Sequence, residues 1–163
     1  MAEPSRAASA FAPRIEGGRF LIVEARFYDA VGAYLLEGAA RALEAAGATY
    51  DLVSVAGALE IPLGLAIALD AAEADGRPYD GAVALGCVMR GETYHFEIVA
   101  SESARALMDL ALERKLALGN GVLTTETIAQ AEERADPGRG DKGGEAARAA
   151  LTLAALKRSL AAP

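Results

Sequence analysis

His95 is the only histidine in the chain, and it follows an apolar run from Ala82 to Met89 and the turn Arg90-Gly91-Glu92-Thr93. The run is short enough for a strand buried on both faces, and a helix pattern begins after it. A helix that starts at a strand end offers unpaired backbone N–H groups and a positive dipole end, which suits a phosphate or a carboxylate. Thr93 is placed to cap that helix through its hydroxyl. An imidazole at this point lies near the dipole and Arg90, and both disfavour its protonated form. A neutral His95, able to accept a proton near pH 7, is therefore expected. Proton transfer beside a bound anion is the chemistry these residues allow, and a satisfied structural histidine is the plainer alternative.

Other groups that can bind or react recur at comparable places. Phe27 follows an apolar stretch and can present a ring face to a flat ligand, or simply pack. Glu60, in Ala58-Leu59-Glu60, can accept hydrogen bonds from a ligand or favour the dipole of its own helix. Arg134 and Lys142 are candidate anion partners, with ordinary solvated charge as the alternative. Cys87 is the single cysteine and reads most simply as a small apolar residue. A Cys87–His95 nucleophilic pair is conceivable, but no third residue to orient it is visible.

The elements that must carry these groups follow from periodicity and punctuation. Arg19–Ala25 reads as a first buried strand. Asp29 is expected to cap a helix to about Ala46, whose apolar positions Val31, Leu35, Ala39, Ala42 and Ala46 recur every three or four residues. Tyr50–Val55 reads as a second strand, and Pro62 suits the first turn of a helix that runs to about Ala74. Tyr79–Met89 gives the third strand. Its helix reaches about Lys115, with Val99, Ala100, Ala104, Leu107, Met108 and Ala111 on one side. Leu116–Leu123 gives the fourth strand, followed by a helix to Ala135. A polar loop, Asp136–Gly144, then leads to a last helix from about Glu145 to Leu160. Strand–helix alternation at this spacing requires parallel strands with crossover helices, so a three-layer α/β/α sandwich on a four-stranded parallel sheet is predicted. Ligands of such folds bind beyond the carboxyl ends of the strands, where Phe27, Ala58-Leu59-Glu60, Met89 to His95 and Asn120 to Thr125 would converge.

Composition narrows the function classes. The 163 residues favour one domain, residues 15–163, behind an N-terminal leader, residues 1–14, expected to be disordered and lacking a signal-peptide core. A net charge of −7 argues against nucleic-acid binding. One cysteine excludes an internal disulfide and a cysteine-based zinc site, and fits a reducing cytoplasm. The longest apolar run, Ile61–Leu69, is too short to span a membrane.

Five blocks together resemble the lumazine synthase family: ARF at Ala25–Phe27, GALEIP at Gly57–Pro62, ALGCVMRGETYHF at Ala84–Phe96, GVLTTETIAQAEERA at Gly121–Ala135 and GDKGGEAA at Gly140–Ala147. The resemblance runs in order from about Phe20 to Leu160. It implies a flavodoxin-like fold and the condensation of 5-amino-6-ribitylaminouracil with 3,4-dihydroxy-2-butanone 4-phosphate to 6,7-dimethyl-8-ribityllumazine, a step of riboflavin synthesis. It implies no cofactor and no metal, since no redox step is involved. By position it assigns Phe27 to stacking on the pyrimidinedione ring. Ala58, Leu59 and Glu60 would hold the ribityl chain and ring, and Cys87, Val88 and Met89 would line the ring pocket. Glu92 and Thr93 fall in the phosphate turn, His95 at the proton-transfer position, and Arg134 and Lys142 at the phosphate. Asn120 stands where many members carry a phenylalanine that a neighbouring subunit lays over the ring, and Leu59 where an aromatic is common. The resemblance also implies small-molecule substrates, no membrane, and a homopentamer, twelve of which can form a hollow shell. A flavin- or lumazine-binding protein without catalysis is the alternative, and a bare shell protein a third. His95 and Arg134 favour the enzyme.

Overall fold

Residues 12–161 are described by the computed structural model. At its centre lies β1 (Arg19–Ala25), in which every residue after Arg19 is buried. It has a parallel neighbour on each side: β2 (Thr49–Val55), in register from Arg19 opposite Thr49, and β3 (Gly81–Met89), with Phe20 opposite Gly81. A fourth parallel strand, β4 (Leu118–Thr125), closes the order β2-β1-β3-β4. Strands covered on both faces need continuous apolar sequence, and LIV in β1 and AVAL in β3 supply it. Edge strand β4 alternates instead, with every second residue from Gly119 to Thr125 buried, and edge strand β2 has no fully buried residue.

Two cores sit on opposite faces of this sheet. On one, Phe20, Ile22, Val83 and Leu85 meet α1 (Asp29–Ala45), α4 (Ile128–Ala135) and α5 (Lys142–Ala161). On the other, Leu21, Val23, Ala82 and Ala84 meet α2 (Ile61–Ala74) and α3 (His95–Arg114). The architecture is thus the expected flavodoxin-like α/β/α sandwich. Of the expected leader, residues 1–11 lie outside the described residues, whereas Ala12 already packs against the first core.

Local chemistry moves several boundaries. Tyr28, not Asp29, caps α1, and Asp29 falls in its first turn, where a carboxylate still favours the dipole. At α3 the cap is Tyr94. The Thr93 hydroxyl accepts only a long 3.5 Å bond from the His95 N–H, so the expected threonine cap is weak. A better cap opens α4, where the Thr127 hydroxyl accepts from Gln130 N–H at 3.2 Å. The Gln130 side chain reaches back to Glu126 N–H at 2.9 Å. Strand β4 runs two residues past the expected end, to Thr125 opposite Met89.

The polar segment Asp136–Gly144 is shorter as a loop than its composition suggests, because α5 begins at Lys142. Gly143 and Gly144 have poor helix propensity but are buried in its first turn. A Cβ on Gly143 would lie 2.0 Å from the Leu35 carbonyl oxygen, so only glycine lets α5 approach α1 this closely. Asp141 sets the turn before it with a left-handed φ of 49°, and its carboxylate accepts from Gly144 N–H at 3.3 Å and from Arg148 at 3.0 Å.

Candidate functional site

The strand order reverses between β1 and β3, and ligands of open α/β sheets bind in the crevice beyond the carboxyl ends at such a point. Three sequence-predicted segments meet there. Ala25, Ala58 and Val88 belong to one packed cluster, which draws together the ends of β1 and β3 and the 3-10 turn Ala58–Glu60 after β2. Ala58 is buried while Leu59 and Glu60 are exposed, so this turn is anchored by its first residue and presents the next two. Phe27 meets Tyr28 edge-on with centroids 5.1 Å apart, and is otherwise open, at 73% exposure. An aromatic residue that exposed offers a ring face to a ligand at little desolvation cost.

The end of β3 is less uniform. Val88 is buried, and Cys87 and Met89 are half-buried against the α1 side of the sheet. Burial pushes the Cys87 thiol above its ordinary pKa, with a contact to the Thr125 hydroxyl at 3.9 Å acting weakly the other way. A protonated thiol on the α1 face is poorly suited to pair with His95, which opens α3 on the opposite face. The geometry therefore does not assemble the nucleophilic pair conceivable from the sequence.

Arg90 is the fixed point of the turn expected to take an anion. Its Nε donates to both Glu126 oxygens at 3.0 and 2.8 Å, its Nη1 donates to Glu97, and its guanidinium lies 4.3 Å over the Phe96 ring. Its backbone N–H also bonds Thr125 O at 3.0 Å. The charge expected to act on His95 is thus committed to two carboxylates. What it does instead is tie both ends of the turn to the β4–α4 connection. Between these anchors Gly91, Glu92, Thr93, Tyr94 and His95 are all exposed, and the space a Cβ on Gly91 would enter is empty. The backbone there is open to an incoming anion.

Asn120, Arg134 and Lys142 form a second group elsewhere. They line one cavity of about 410 Å³ along the outer edge of β4, together with Thr124, Glu145 and Ala149. Arg134 donates to Gln130 O at 3.1 Å, and Lys142 pairs with Glu145 at 2.6 Å. Gly140 underlies Arg134, since a Cβ there would come within 2.7 Å of the Arg134 backbone. Contrary to expectation, Asn120 is not at the carboxyl end of its strand, because β4 runs on to Thr125. It pairs with Ala84, five residues before the Met89–Thr125 pair, which places it about 16 Å down the strand from the crevice. Its side chain instead accepts from Val122 N–H at 2.9 Å, filling one outward donor of the edge strand.

The sequence-predicted residues therefore fall into two half-sites. One, at the strand ends, holds Phe27, Ala58, Leu59, Glu60, Val88, Glu92, Thr93 and His95, with the Cys87 and Met89 side chains beside it on the α1 side of the sheet. The other, on the sheet edge, holds Asn120, Arg134 and Lys142. Glu97 and Glu126, which hold Arg90, and Glu145, which holds Lys142, were missed by reading the sequence. Only Glu145 carried a legible signal, three residues after Lys142 on one helix.

The chain also matches known proteins in sequence. The family model described as 6,7-dimethyl-8-ribityllumazine synthase matches residues 17–158. A protein of that name from Methylocella silvestris is 64% identical over 97% of this chain and 96% of its own length. The 6,7-dimethyl-8-ribityllumazine synthase 1 of Rhodopseudomonas palustris is 60% identical over 99% of both chains. The Azorhizobium caulinodans synthase is 64% identical over 88% of this chain and 89% of its own. With its sequence matched nearly end to end, the chain belongs to the 6,7-dimethyl-8-ribityllumazine synthase family.

Proposed function

We propose that this enzyme builds 6,7-dimethyl-8-ribityllumazine at sites shared between neighbouring copies of the chain, the strand-end half-site of one facing the edge half-site of the next. The activity, a transferase step of riboflavin synthesis, rests on the match to relatives named for it over almost the whole chain. The sharing is supported by one observation: Asn120, Arg134 and Lys142 line a cavity on the outer edge of β4, which β3 separates from the β1–β3 crevice that holds the other predicted residues.

Phe27 stacks on the pyrimidinedione ring of 5-amino-6-ribitylaminouracil. The Ala58–Glu60 turn holds the ring and ribityl chain, and Cys87, Val88 and Met89 wall the pocket largely through their backbone groups. The phosphate of 3,4-dihydroxy-2-butanone 4-phosphate sits on the Glu92-Thr93 turn. Backbone N–H groups bind it there, because the Glu92 carboxylate would repel it. Arg134 and Lys142 of the adjacent copy complete the cradle, and Asn120 approaches the ring. The amine of the uracil adds to the ketone, and loss of water gives an imine. Phosphate then leaves, and the second nitrogen closes on the new carbonyl with loss of a further water. His95 carries protons in these steps, and the cradle stabilises the departing phosphate. Holding two substrates together supplies much of the remaining acceleration.

A homopentamer is part of the same proposal. Leu63 and Ile67 on α2, and Ile98, Met108 and Leu112 on α3, are exposed large apolar side chains that one sheet face does not cover. A ring of five head-to-tail contacts would cover such a face and create one shared site per contact. A cytoplasmic location is proposed with it, consistent with a single free cysteine. Among the described residues no helix is long and apolar enough to cross a membrane.

Mixing the purified protein with both substrates tests the activity. Lumazine appearance by absorbance or fluorescence should exceed the protein-free rate. Ligand binding with no rate above that background would overturn the assignment.

A further inference from the structure

Glu24 is the only charged side chain among the described residues that is buried, at 4% exposure, and it lies three residues before Phe27. It has no place in the half-sites above. Along β1 the residues on either side of it, Val23 and Ala25, face the α2–α3 core, so Glu24 faces the opposite side of the sheet. Its carboxylate is nonetheless fully engaged. One oxygen accepts from the Ser54 hydroxyl of β2 at 3.0 Å, and the other from Arg26 Nη2 at 3.1 Å.

Arg26 is the first residue after β1 and the last before Phe27. Its aliphatic stem lies across Gly32 in the first turns of α1, where a Cβ would come within 2.9 Å of Arg26 Cγ. The guanidinium is therefore held from below by a carboxylate on the central strand, and the stem from the side by the helix that the turn enters. A charge is rarely buried unless it is paired, because desolvating it alone is costly. Here the pair spans the one bend that carries the exposed aromatic ring.

We propose that Glu24 is a positioning residue. Through Arg26 it fixes the β1–α1 turn and so the direction in which Phe27 presents its ring to the pyrimidinedione. This rests on the ring-stacking reading of Phe27.

Steady-state kinetics of the assembled enzyme with each substrate varied in turn tests it. Glu24→Gln keeps shape and an acceptor for Ser54, and turns a charge-assisted bond to Arg26 into a neutral one. Charge-assisted bonds are about twice as strong, so KM for the uracil should rise roughly 3- to 10-fold. Turnover should stay within about 2-fold, and KM for the butanone phosphate should not move. Arg26→Gln should do the same. The double variant should be no worse than the worse single one, since both act through one contact. Ser54→Ala loosens the same carboxylate without touching Arg26. It should lower the thermal midpoint while leaving the uracil KM near that of the parent.

A uracil KM unchanged in Glu24→Gln, while Phe27→Ala raises it, overturns the positioning role alone. An unchanged KM in Phe27→Ala overturns both that role and the stacking reading. Equal rises in both substrates' KM, or a Ser54→Ala effect as large as that of Glu24→Gln, would mark a general loosening of the sheet and also overturn it.

Discussion

If each site takes one half from one copy and one half from the next, two dead proteins should make a live one. Let one variant carry Phe27→Ala and His95→Ala, which destroys the strand-end half and leaves Arg134 and Lys142 untouched. Let the other carry Arg134→Ala, which damages only the edge half. A charge-assisted bond to phosphate is worth on the order of 1.5–3 kcal/mol, so the second variant should lose roughly 10- to 150-fold in kcat/KM for the butanone phosphate. The first should lose at least as much, since it lacks both a stacking platform and the proton carrier. When equal amounts are co-expressed, or unfolded and refolded together, neighbours are drawn at random. A site works only when its strand end comes from the Arg134→Ala copy and its edge from the other. Each condition holds for half the copies, so about one quarter of sites should be intact whatever the size of a closed ring. The mixture should therefore reach about one quarter of parental activity, well above either variant alone. The decisive comparison is with the same proteins assembled separately and then mixed without exchange. A co-assembled rate no higher than that control would place both halves within one copy, despite the position of Arg134 and Lys142 at the outer edge of β4.

His95→Ala by itself should lower turnover by about 10²-fold or less with an unaltered thermal midpoint, because positioning survives the loss of the imidazole; parental turnover would remove His95 from proton transfer. Arg134→Ala should weaken the butanone phosphate and spare the uracil, and equal weakening of both would indicate a disrupted fold instead. The Arg90 hydrogen bond holds the Glu97 carboxyl below its ordinary value of 4.5, so the stabilisation is present above that pH and disappears as pH falls through the lower folded value. The thermal midpoint of Glu97→Gln should accordingly lie below that of the parent at neutral pH, and the two should converge in acid below about 4.5. Gly121→Ala would place a Cβ 2.8 Å from Leu85 Cδ2 and 3.1 Å from Ala146 Cβ, an overpacking expected to cost about 1–3 kcal/mol in denaturant unfolding.

Most of the framework was legible in the chain itself. Continuous apolar runs marked β1 and β3 because a central parallel strand has no solvent face. Gly47 and Gly76, both at positive φ, ended α1 and α2 where expected, since few other residues adopt that conformation cheaply. The strand-end residues were legible for the same reason: fold class alone says where the carboxyl ends lie. The start of α5 was not, because Gly143 and Gly144 speak for a loop locally. Their reason for being helical is the backbone of α1, distant in sequence and 2.0 Å from a would-be Cβ.

The remaining failures share a cause, and it bears on function. On α3, Ala104 and Met108 were grouped with Val99 and Leu107 on one side, but that side is not uniformly covered: both are exposed, while Ser103 is buried. Periodicity cannot distinguish an apolar stripe that meets its own sheet from one that faces another molecule, because both obey the same 3.6-residue repeat. Asn120 presents the same ambiguity in a strand. Its neighbours in the sequence suggested a strand end, whereas its register partner Ala84 puts it mid-strand on an outer edge. An active site confined to one chain would leave neither observation a purpose. The proposed division of the site between copies would account for both, since a neighbour covering the stripe left bare on α2 and α3 would bring its Arg134 and Lys142 towards the proposed phosphate turn. Charged substitution at Leu112, 71% exposed in the isolated chain, should therefore abolish assembly and activity together while the monomer stays folded. Light scattering coupled to size exclusion, with circular dichroism on the same fractions, decides it: a monomeric Leu112→Asp protein that still forms lumazine at the parental rate would show that the site needs no partner.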